Sequence, residues 1–284
     1  MDVAPLFKQL PEMSETQFEL WRRLLQDEAA VWISWQRKFY LQTCIAKRVR
    51  ELSCNDYDDY YYGLQEGRFG SLEWVHLVDL LTINDTRFFR HRESMTLVEE
   101  FVRNKRRDMA ERMIFETWSV GCATGEEPYS LSILFEQQRS LSPRFYYGIT
   151  ATDISYSALG YARKGMYPEQ KLKDIPETWR KKCLDKIDNN KLQFKSDIRQ
   201  RIRFVQGNIL EPTALVRQTY DLIYCQNMLI YISPEQRKGV MNHFVRCLKP
   251  GGLLVIGPGE VIDWHNENVT RVMNPSCLAY VSQT

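Results

Sequence analysis

The stretch Trp118–Ser130, WSVGCATGEEPYS, carries the clearest fold signal in the chain. An apolar strand pattern ends near Gly121, small residues continue to Gly125, and a helical pattern begins at Glu126 or Glu127. Glycine and other small residues at a strand-to-helix turn let a ligand approach the backbone at the carboxyl edge of a sheet. The stretch therefore predicts the first strand, turn and helix of a nucleotide-type cofactor site.

Short apolar runs alternate with helical segments from Phe115 onward, which is the pattern of a parallel sheet covered by helices. Later strand candidates are IRFVQGNI, YDLIYCQN and LLVIGPG, and TRVMNPSCLAYVSQ predicts a closing hairpin. The polar residues 168–202 form too long an interruption for an ordinary connection. We expect an α/β domain over residues 86–284, with a subdomain inserted at about 168–202.

Helical patterns dominate the first part of the chain. Ser14 and Gln17 match a capping box at the start of one helix. Apolar residues between Trp35 and Leu52 recur at the helical period and predict a second helix. We therefore expect an all-helical N-terminal domain over residues 1–85.

Composition and charge argue against several classes of protein. Lys and Arg total 38 against 36 Asp and Glu, a net charge of +2, which gives no general attraction to nucleic acid. The sequence has no apolar run near the roughly 20 residues needed to span a bilayer and no signal-peptide pattern at its start. We expect a cytoplasmic protein. The seven cysteines are scattered and the four histidines lie outside the motifs, so we predict no disulfide and no metal site.

The acidic start of the predicted helix indicates which cofactor the turn binds. A carboxylate at Glu126 or Glu127 would repel a pyrophosphate, and GCATGE is not the GxGxxG of dinucleotide sites. The same carboxylate would attract a ligand that carries an ammonium and a sulfonium, and S-adenosylmethionine carries both. The alternative is that both glutamates only stabilise the helix N-terminus.

Polar residues also follow the other predicted strands. Asp153 lies roughly thirty residues after the turn of small residues at Gly121–Gly125, near the spacing of an acid that binds ribose hydroxyls. Its alternative role is the N-cap of the next helix. Asn208 and Asn227 follow two strands that are consecutive in the chain, where adenine and methionine contacts are expected. Tyr231 could reach a substrate from the same segment, or pack in the core.

Several segments, in order along nearly the whole chain, together resemble the CheR family of chemotaxis receptor methyltransferases: TINDTRFFR, WSVGCATGEEPYS, ATDIS, ARKGMYP, CQNMLIYI and LKPGGLLVIG. The resemblance implies a Rossmann-like methyltransferase sheet, an all-helical N-terminal domain and a small inserted β-subdomain. It also implies methyl transfer from S-adenosylmethionine to glutamate carboxylates of chemotaxis-type receptors, giving methyl esters and S-adenosylhomocysteine. The pilus-chemotaxis members, called PilK, are candidates for a closer match.

The resemblance assigns roles residue by residue. Glu127 would hold the methionine amino group and Asp153 the ribose. The other implied cofactor contacts are Asn84, Thr86, Arg90, Asn208, Ile209, Asn227 and Met228. Arg90 and Tyr231 are the catalytic candidates, although Arg90 could instead form an ion pair at a helix end.

Two positions depart from the family pattern. Gln226 stands where arginine is common, and GPGE at Gly257–Glu260 replaces a GHSE-like ending. The expected partner is the helical region of a receptor, and Lys47 and Arg50, on a basic helix face, are the docking candidates. A solvated helix face is the alternative for this pair.

The proposed reaction needs no general base. A glutamate with a reference pKa near 4.3 is already ionised at neutral pH, so a catalytic His or Cys is not expected. We expect a monomer that binds neither nucleic acid nor membrane. Nucleic-acid methyltransferases are disfavoured because no NPPY-like segment is present. The main alternative function is a non-catalytic module that binds S-adenosylmethionine or S-adenosylhomocysteine as a signal.

Overall fold

The computed structural model describes residues 10–29, 31–82, 86–108, 112–211 and 219–283. The chain divides into two compact units, Met1–Ile83 and Asn84–Thr284. Within the described ranges, no helix is both long enough and apolar enough to cross a bilayer.

Helices build the described part of the first unit. They are α1 (Glu15–Ala29), α2 (Lys38–Glu51), α3 (Tyr57–Gln65) and α4 (Leu72–Leu81), with a 3₁₀ turn at Trp35–Arg37 before α2. The predicted capping box is confirmed: the Gln17 amide donates to Ser14 Oγ at 3.1 Å, and the Ser14 amide donates to Gln17 Oε1 at 3.0 Å.

A buried charged cluster joins three of these helices. Glu73 on α4 is only 3% exposed. Arg48 Nε on α2 donates to Glu73 Oε1 at 2.8 Å, and the Tyr60 hydroxyl on α3 donates to the same oxygen at 2.6 Å. Because an unpaired buried charge is costly, this cluster fixes the orientation of α2. The opposite face of α2 is thereby held toward solvent, with Lys47 and Arg50 exposed.

The second unit is an α/β domain. Its strands are β1 (Met113–Val120), β2 (Phe145–Asp153), β3 (Met166–Pro168), β4 (Leu184–Lys186), β5 (Lys191–Phe194), β6 (Ile202–Gln206), β7 (Tyr220–Cys225), β8 (Leu248–Ile256), β9 (Val269–Arg271) and β10 (Leu278–Ser282). Its described α-helices are α5 (Arg92–Asp108), α6 (Glu126–Leu141), α7 (Tyr156–Lys164), α8 (Glu177–Cys183), α9 (Ser196–Arg199) and α10 (Pro234–Arg246).

The main sheet has the strand order β6-β2-β1-β7-β8-β10-β9. The first five of these strands run parallel, and β10 is antiparallel to both of its neighbours. Buried side chains cover both faces of this sheet, one cluster including α5 and α6 residues and the other α10 residues. Burial on both faces explains the near-continuous apolar strands. The predicted α/β fold class and the closing hairpin are confirmed.

A second, three-stranded antiparallel sheet has the order β3-β5-β4. It begins at Met166 and ends at Phe194, so it overlaps the segment in which the sequence predicts an insertion. Phe194 stacks on Tyr129 of α6 with ring centroids 4.1 Å apart. This contact anchors the small sheet on the first helix of the main α/β core.

Candidate active site

The turn after β1 has the backbone conformation that its small residues predict. Gly121, Ala123 and Gly125 have φ angles of +74°, +45° and +96°. A Cβ atom at Gly125 would lie 2.8 Å from Tyr167 Oη and 2.9 Å from Ala162 Cβ. Glycine is therefore required at this position by both its backbone angle and its neighbours. We call Gly121–Gly125 the glycine turn.

Asp153, at the end of β2, holds the glycine turn directly. Its Oδ2 accepts from the Ala123 amide at 2.7 Å, and its Oδ1 accepts from the Ser155 amide at 2.9 Å. Ser155, not Asp153, caps α7, because Ser155 Oγ accepts from the Ala158 amide at 3.1 Å. The N-cap alternative for Asp153 is therefore wrong.

The two glutamates at the start of α6 have different environments. Glu126 is fully buried, and its Oε1 accepts from Lys171 Nζ at 2.8 Å while its Oε2 accepts from Thr124 Oγ1 at 2.6 Å. Glu126 is thus a paired structural charge. Glu127 accepts from Ser119 Oγ at 2.6 Å and makes no salt bridge with a described Lys, Arg or His. The residue pattern alone left the roles of Glu126 and Glu127 open, and the family resemblance named Glu127 for the cofactor.

The Glu127 carboxylate is surrounded by protein, although the residue as a whole keeps some exposed surface. Burial raises its pKa well above the ordinary value, and the negative charge of Glu260 raises this pKa further. The Ser119 hydrogen bond and the positive charge of Arg90 act in the opposite direction. A cation placed beside Glu127 would stabilise its ionised form.

Met228 and Asn227 follow β7 and reach the same edge of the sheet. The Met228 Cγ lies 2.6 Å from where a Cβ on Gly121 would be, so this side chain covers the glycine turn. Asn227 has a φ of +57°. Its Oδ1 is 2.6 Å from Nε2 of His91, a histidine that sequence reasoning left outside the motifs. The signal that could have found His91 is its position directly after NDTRFFR.

Asn208 and Ile209 lie at the same edge but further along the sheet. Asn208 Oδ1 accepts from the Leu210 amide at 2.9 Å, and Ile209 is 9% exposed. The strands that precede Asn208 and Asn227 are consecutive in the described chain, but β2 and β1 separate them in the sheet. The predicted cofactor residues therefore follow a row of four strand ends, β6, β2, β1 and β7.

The segment before α5 carries the predicted Thr86 and Arg90, both half-buried. Phe89 in this segment donates its amide to Ser130 Oγ on α6 at 3.0 Å. This bond holds the segment against the helix that begins with Glu127. Asn84, a further predicted cofactor contact, lies outside the described residues.

Tyr231 ends a 3₁₀ turn, Leu229–Tyr231, and is half-buried, whereas Leu229 is fully buried. Tyr231 is therefore not a fully buried core residue, which was the alternative for it. Its predicted role in orienting a substrate stays a prediction.

Glu260 is a buried acid that sequence reasoning noted only as part of GPGE. It is 3% exposed, and its Oε2 accepts from the Gly257 amide at 3.2 Å. Burial raises its pKa to about 7, while the amides of Gly257, Asn227 and Ile230 and the charge of Arg237 act to lower it. An acid at the end of β8 gives no local sequence signal for a cofactor site.

Other features of the described chain do not belong to this edge. One cavity of about 560 Å³ lies away from this edge and is lined in part by the other end of α6; its lining residues are Glu136, Arg139, Ser140, Pro143, Tyr146, Trp179, Lys182, Cys183, Asp197 and Ile198. None of the predicted site residues lines it. The seven cysteines are unpaired, and within the described ranges no group of three or more His, Cys, Asp or Glu could hold a metal ion.

The glycine turn, Asp153 on the second strand of the row and the half-buried Glu127 form a candidate cofactor site at the carboxyl edge of an α/β sheet. The chain belongs to the CheR methyltransferase family. The family model described as "CheR methyltransferase, SAM binding domain" matches residues 84–277, and "CheR methyltransferase, all-alpha domain" matches residues 16–82. The chain is thus an S-adenosylmethionine-dependent methyltransferase.

Named relatives are similar over most of their length. The chemotaxis protein methyltransferase of Borreliella burgdorferi is 26% identical over 88% of this chain and 89% of its own. The Salmonella typhimurium enzyme is 25% identical over 94% and 88%. Among solved structures, the N-methyltransferase NodS of Bradyrhizobium japonicum, in complex with S-adenosyl-L-homocysteine, has a TM-score of 0.41 at 18% identity, covering 75% of this chain and 98% of that chain.

Proposed function

We propose that this protein transfers a methyl group from S-adenosylmethionine to glutamate side chains of chemotaxis-type receptors, giving glutamyl methyl esters. The observation that carries the cofactor assignment is the Glu127 carboxylate, which is surrounded by protein next to the glycine turn and makes no salt bridge with a described basic residue. A largely desolvated carboxylate that makes no salt bridge with a described basic residue fits a ligand that brings a cation. The relatives named above supply the receptor assignment.

Each predicted residue has a proposed task at this edge of the sheet. Glu127 would bind the amino group of the methionine part, and Asp153 would bind the ribose hydroxyls. The remaining contacts would come from Asn84, Thr86, Asn208, Ile209, Asn227 and Met228. When bound, the cofactor supplies a methyl group on a positively charged sulfur. This sulfur is readily displaced because it leaves as the neutral thioether of S-adenosylhomocysteine.

The protein's contribution to the transfer is then positioning and exclusion of water. A glutamate carboxylate is ionised at neutral pH, so no group of the enzyme has to remove a proton. Arg90 and Tyr231 would orient this carboxylate toward the methyl group. Too tight an Arg90 pair would slow the reaction, because the negative charge disappears as the ester forms.

Receptor docking is proposed for the exposed basic face of α2. Lys47 and Arg50 project from the side of the helix away from the Glu73 cluster, and Lys47 Nζ lies 3.9 Å from Glu51 Oε1. Exposed pairs of this kind are weak, so they leave a basic residue available to an acidic helical partner. Action as a monomer in the cytoplasm is part of the same proposal, and the PilK subtype stays a prediction.

The test is incubation with methyl-labelled S-adenosylmethionine and fragments of candidate receptors. The proposal expects label on the fragment that mild base releases as methanol, because esters hydrolyse and N-methyl groups do not. A receptor fragment with its acceptor glutamates changed to aspartate is the matched control and should stay unlabelled. Base-stable label would assign a different acceptor chemistry.

The second candidate function is a module that binds S-adenosylmethionine or S-adenosylhomocysteine without transferring a methyl group. The half-buried Arg90 and Tyr231, neither of which the cofactor turn needs for its own structure, favour the enzyme. Cofactor binding with no transfer to any receptor fragment would favour the binding module.

A further inference from the structure

Glu260 has no evident reason to be an acid if it only stabilises its loop. Its Oε1 is buried and makes no geometric hydrogen bond with a described residue, and its Oε2 accepts from the Gly257 amide. The Asn227 and Ile230 amides lie near enough to lower the pKa of this carboxyl, but burial still raises it. The guanidinium of Arg237 donates to the Glu260 main-chain oxygen at 3.0 Å rather than to the carboxylate. A buried carboxylate with this environment is costly unless something else compensates its charge.

The alternation of side chains along the strands places Glu260 on the same face of the sheet as Glu127. Trp118, Val120 and Ile256 belong to the buried cluster on the α10 face. Ser119, which binds Glu127, lies between Trp118 and Val120, so it points to the opposite face. Gly257 follows Ile256 and has the Glu260 Oε2 2.4 Å from the position of its missing Cβ, so this carboxylate also lies on the opposite face.

The strand register brings the two acids close together. Ser119 is level with Tyr224 on β7, and Tyr224 is level with Val255 on β8, two residues before Gly257. Two strand spacings amount to about 10 Å. Glu127 lies in the first turn of the helix after β1 and Glu260 lies in the turn after β8, so both residues follow the carboxyl ends of strands at the same edge of the sheet. At this range, in a partly buried site, two charges influence each other appreciably.

We propose that Glu260 is a second carboxylate of the cofactor site, and that it shifts the relative affinity of the site toward positively charged S-adenosylmethionine and away from S-adenosylhomocysteine, because a bound cation stabilises the ionised forms of Glu127 and Glu260. The two ligands share the adenosine and the amino acid part and differ in the methyl group and the charge on sulfur. A preference based on this charge helps the enzyme to release its product. The inference rests on the proposed binding of the methionine part at Glu127.

The test is calorimetric titration of both ligands, and of sinefungin, which carries an amine in place of the methylated sulfur. Glu260→Gln removes the charge and keeps the size of the side chain. We expect S-adenosylmethionine and sinefungin to bind this variant roughly three- to tenfold more weakly, with S-adenosylhomocysteine affinity within about twofold of the wild type. The exposed Glu267→Gln is the matched control and should change none of the three affinities.

Each outcome decides the inference. Equal weakening of all three ligands would assign Glu260 a purely structural role and overturn the proposal, as would three unchanged affinities. If the wild-type protein bound neither ligand, the proposed function itself would fail. If the wild type bound both ligands, and Glu260→Gln left the ratio of their affinities unchanged, the proposed function would stand without a role for Glu260.

A second measurement serves if Glu260→Gln does not fold. The ratio of the two wild-type affinities should favour S-adenosylmethionine more strongly at pH 8 than at pH 6, because Glu260 is more fully ionised at the higher pH. Taking the ratio cancels the titration of the amino acid part that both ligands share. The other charged or titratable groups near the two acids are Arg90, Cys122, Asp153, Cys225 and Arg237. A pH-independent ratio would overturn the proposal.

Discussion

His91 Nε2 lies 2.6 Å from Asn227 Oδ1, and this contact joins two segments that are 136 residues apart in the chain. His91 follows the segment that contains Thr86 and Arg90, whereas Asn227 belongs to the loop after β7. Because the side-chain carbonyl oxygen of Asn227 can only accept, Nε2 of His91 donates in this contact. The bond joins Asn227, which has a left-handed backbone with a φ of +57°, to the segment that carries Thr86 and Arg90.

Replacement of His91 should therefore weaken cofactor binding. We expect His91→Ala to raise the Kd for S-adenosylhomocysteine about fivefold, since a lost hydrogen bond of this kind is worth about 1 kcal/mol. Calorimetric titration measures it. His265→Ala is the control, because His265 is exposed. An unchanged Kd for His91→Ala would show that the contact does not support the site.

Arg90 should affect transfer more than binding. We expect Arg90→Ala to lower kcat at least about 100-fold while the Kd for S-adenosylmethionine changes little, because misplacement of the acceptor carboxylate slows the chemical step. Single-turnover methyl transfer and calorimetry separate the two effects. The control is Arg92→Ala, whose side chain is 76% exposed. Unchanged turnover in Arg90→Ala would remove Arg90 from the mechanism.

The glycine turn should tolerate no side chain at Gly125. We expect Gly125→Ala to lower the free energy of unfolding by about 2–4 kcal/mol, because alanine is strained at φ +96° and its Cβ would clash with Tyr167 and Ala162. Gly160→Ala is the matched control: Gly160 lies inside α7 with nothing within 4 Å of a new Cβ. Gly160→Ala should raise the free energy of unfolding by up to about 1 kcal/mol. Urea titration measures the stability of both variants. Equal changes in the free energy of unfolding for Gly125→Ala and Gly160→Ala would contradict the predicted strain and clash at Gly125.

The pH dependence of stability should report the buried Glu260. Its pKa is about 7 in the folded protein, against a value of 4.5 for an unperturbed glutamate. The folded state therefore keeps this proton to higher pH than the unfolded state. The stability that the protonated carboxyl contributes is complete below about pH 4.5 and is lost as the pH rises through about 7.

Glu260→Gln, which stays neutral, should gain stability over the wild type as the pH increases from 5 to 8. The gain is up to about 3 kcal/mol, since each pKa unit corresponds to about 1.4 kcal/mol. Urea unfolding of the cofactor-free proteins at each pH measures it. The exposed Glu267→Gln should show no such trend. A constant stability difference between pH 5 and pH 8 would contradict the raised pKa.

The basic face of α2 should affect the rate of receptor methylation but not the affinity for the cofactor. We expect Lys47→Glu with Arg50→Glu to slow receptor methylation about tenfold at low salt, with a smaller effect at high salt, because charge steers the encounter. Cofactor affinity should not change. Charge reversal at the exposed Arg23 on α1 is the control. Receptor methylation at the wild-type rate in the double variant would end the docking proposal.

Local patterns predicted the parts of the fold that local interactions determine. The glycine turn, the helix after it and the closing hairpin depend on residues that are neighbours in sequence, so their spacing was sufficient. The residue pattern alone did not separate the roles of Glu126 and Glu127, which only the family resemblance distinguished, because Lys171, which pairs with Glu126, comes from 45 residues further along the chain. Periodicity carries no information about such a distant partner.

The site residues that sequence reasoning missed were missed for the same reason. His91 and Glu260 come near the predicted cofactor residues only because the sheet places β7 beside β1 and β8 beside β7. The order of the strands was also not predictable: Asn208 and Asn227 follow strands that are consecutive in the described chain but have β2 and β1 between them in the sheet. Strand order in a parallel sheet depends on crossover connections, which the spacing of motifs does not specify.

The central claim is that the cofactor binds at the carboxyl edge of the sheet, over the glycine turn. Hydrogen–deuterium exchange with and without S-adenosylhomocysteine tests it most directly, because it locates the bound ligand along the backbone. The account predicts slower exchange at residues 121–127, 153–155 and 226–231. Protection at the cavity lined by Trp179 and Lys182, with no change at the glycine turn, would contradict it.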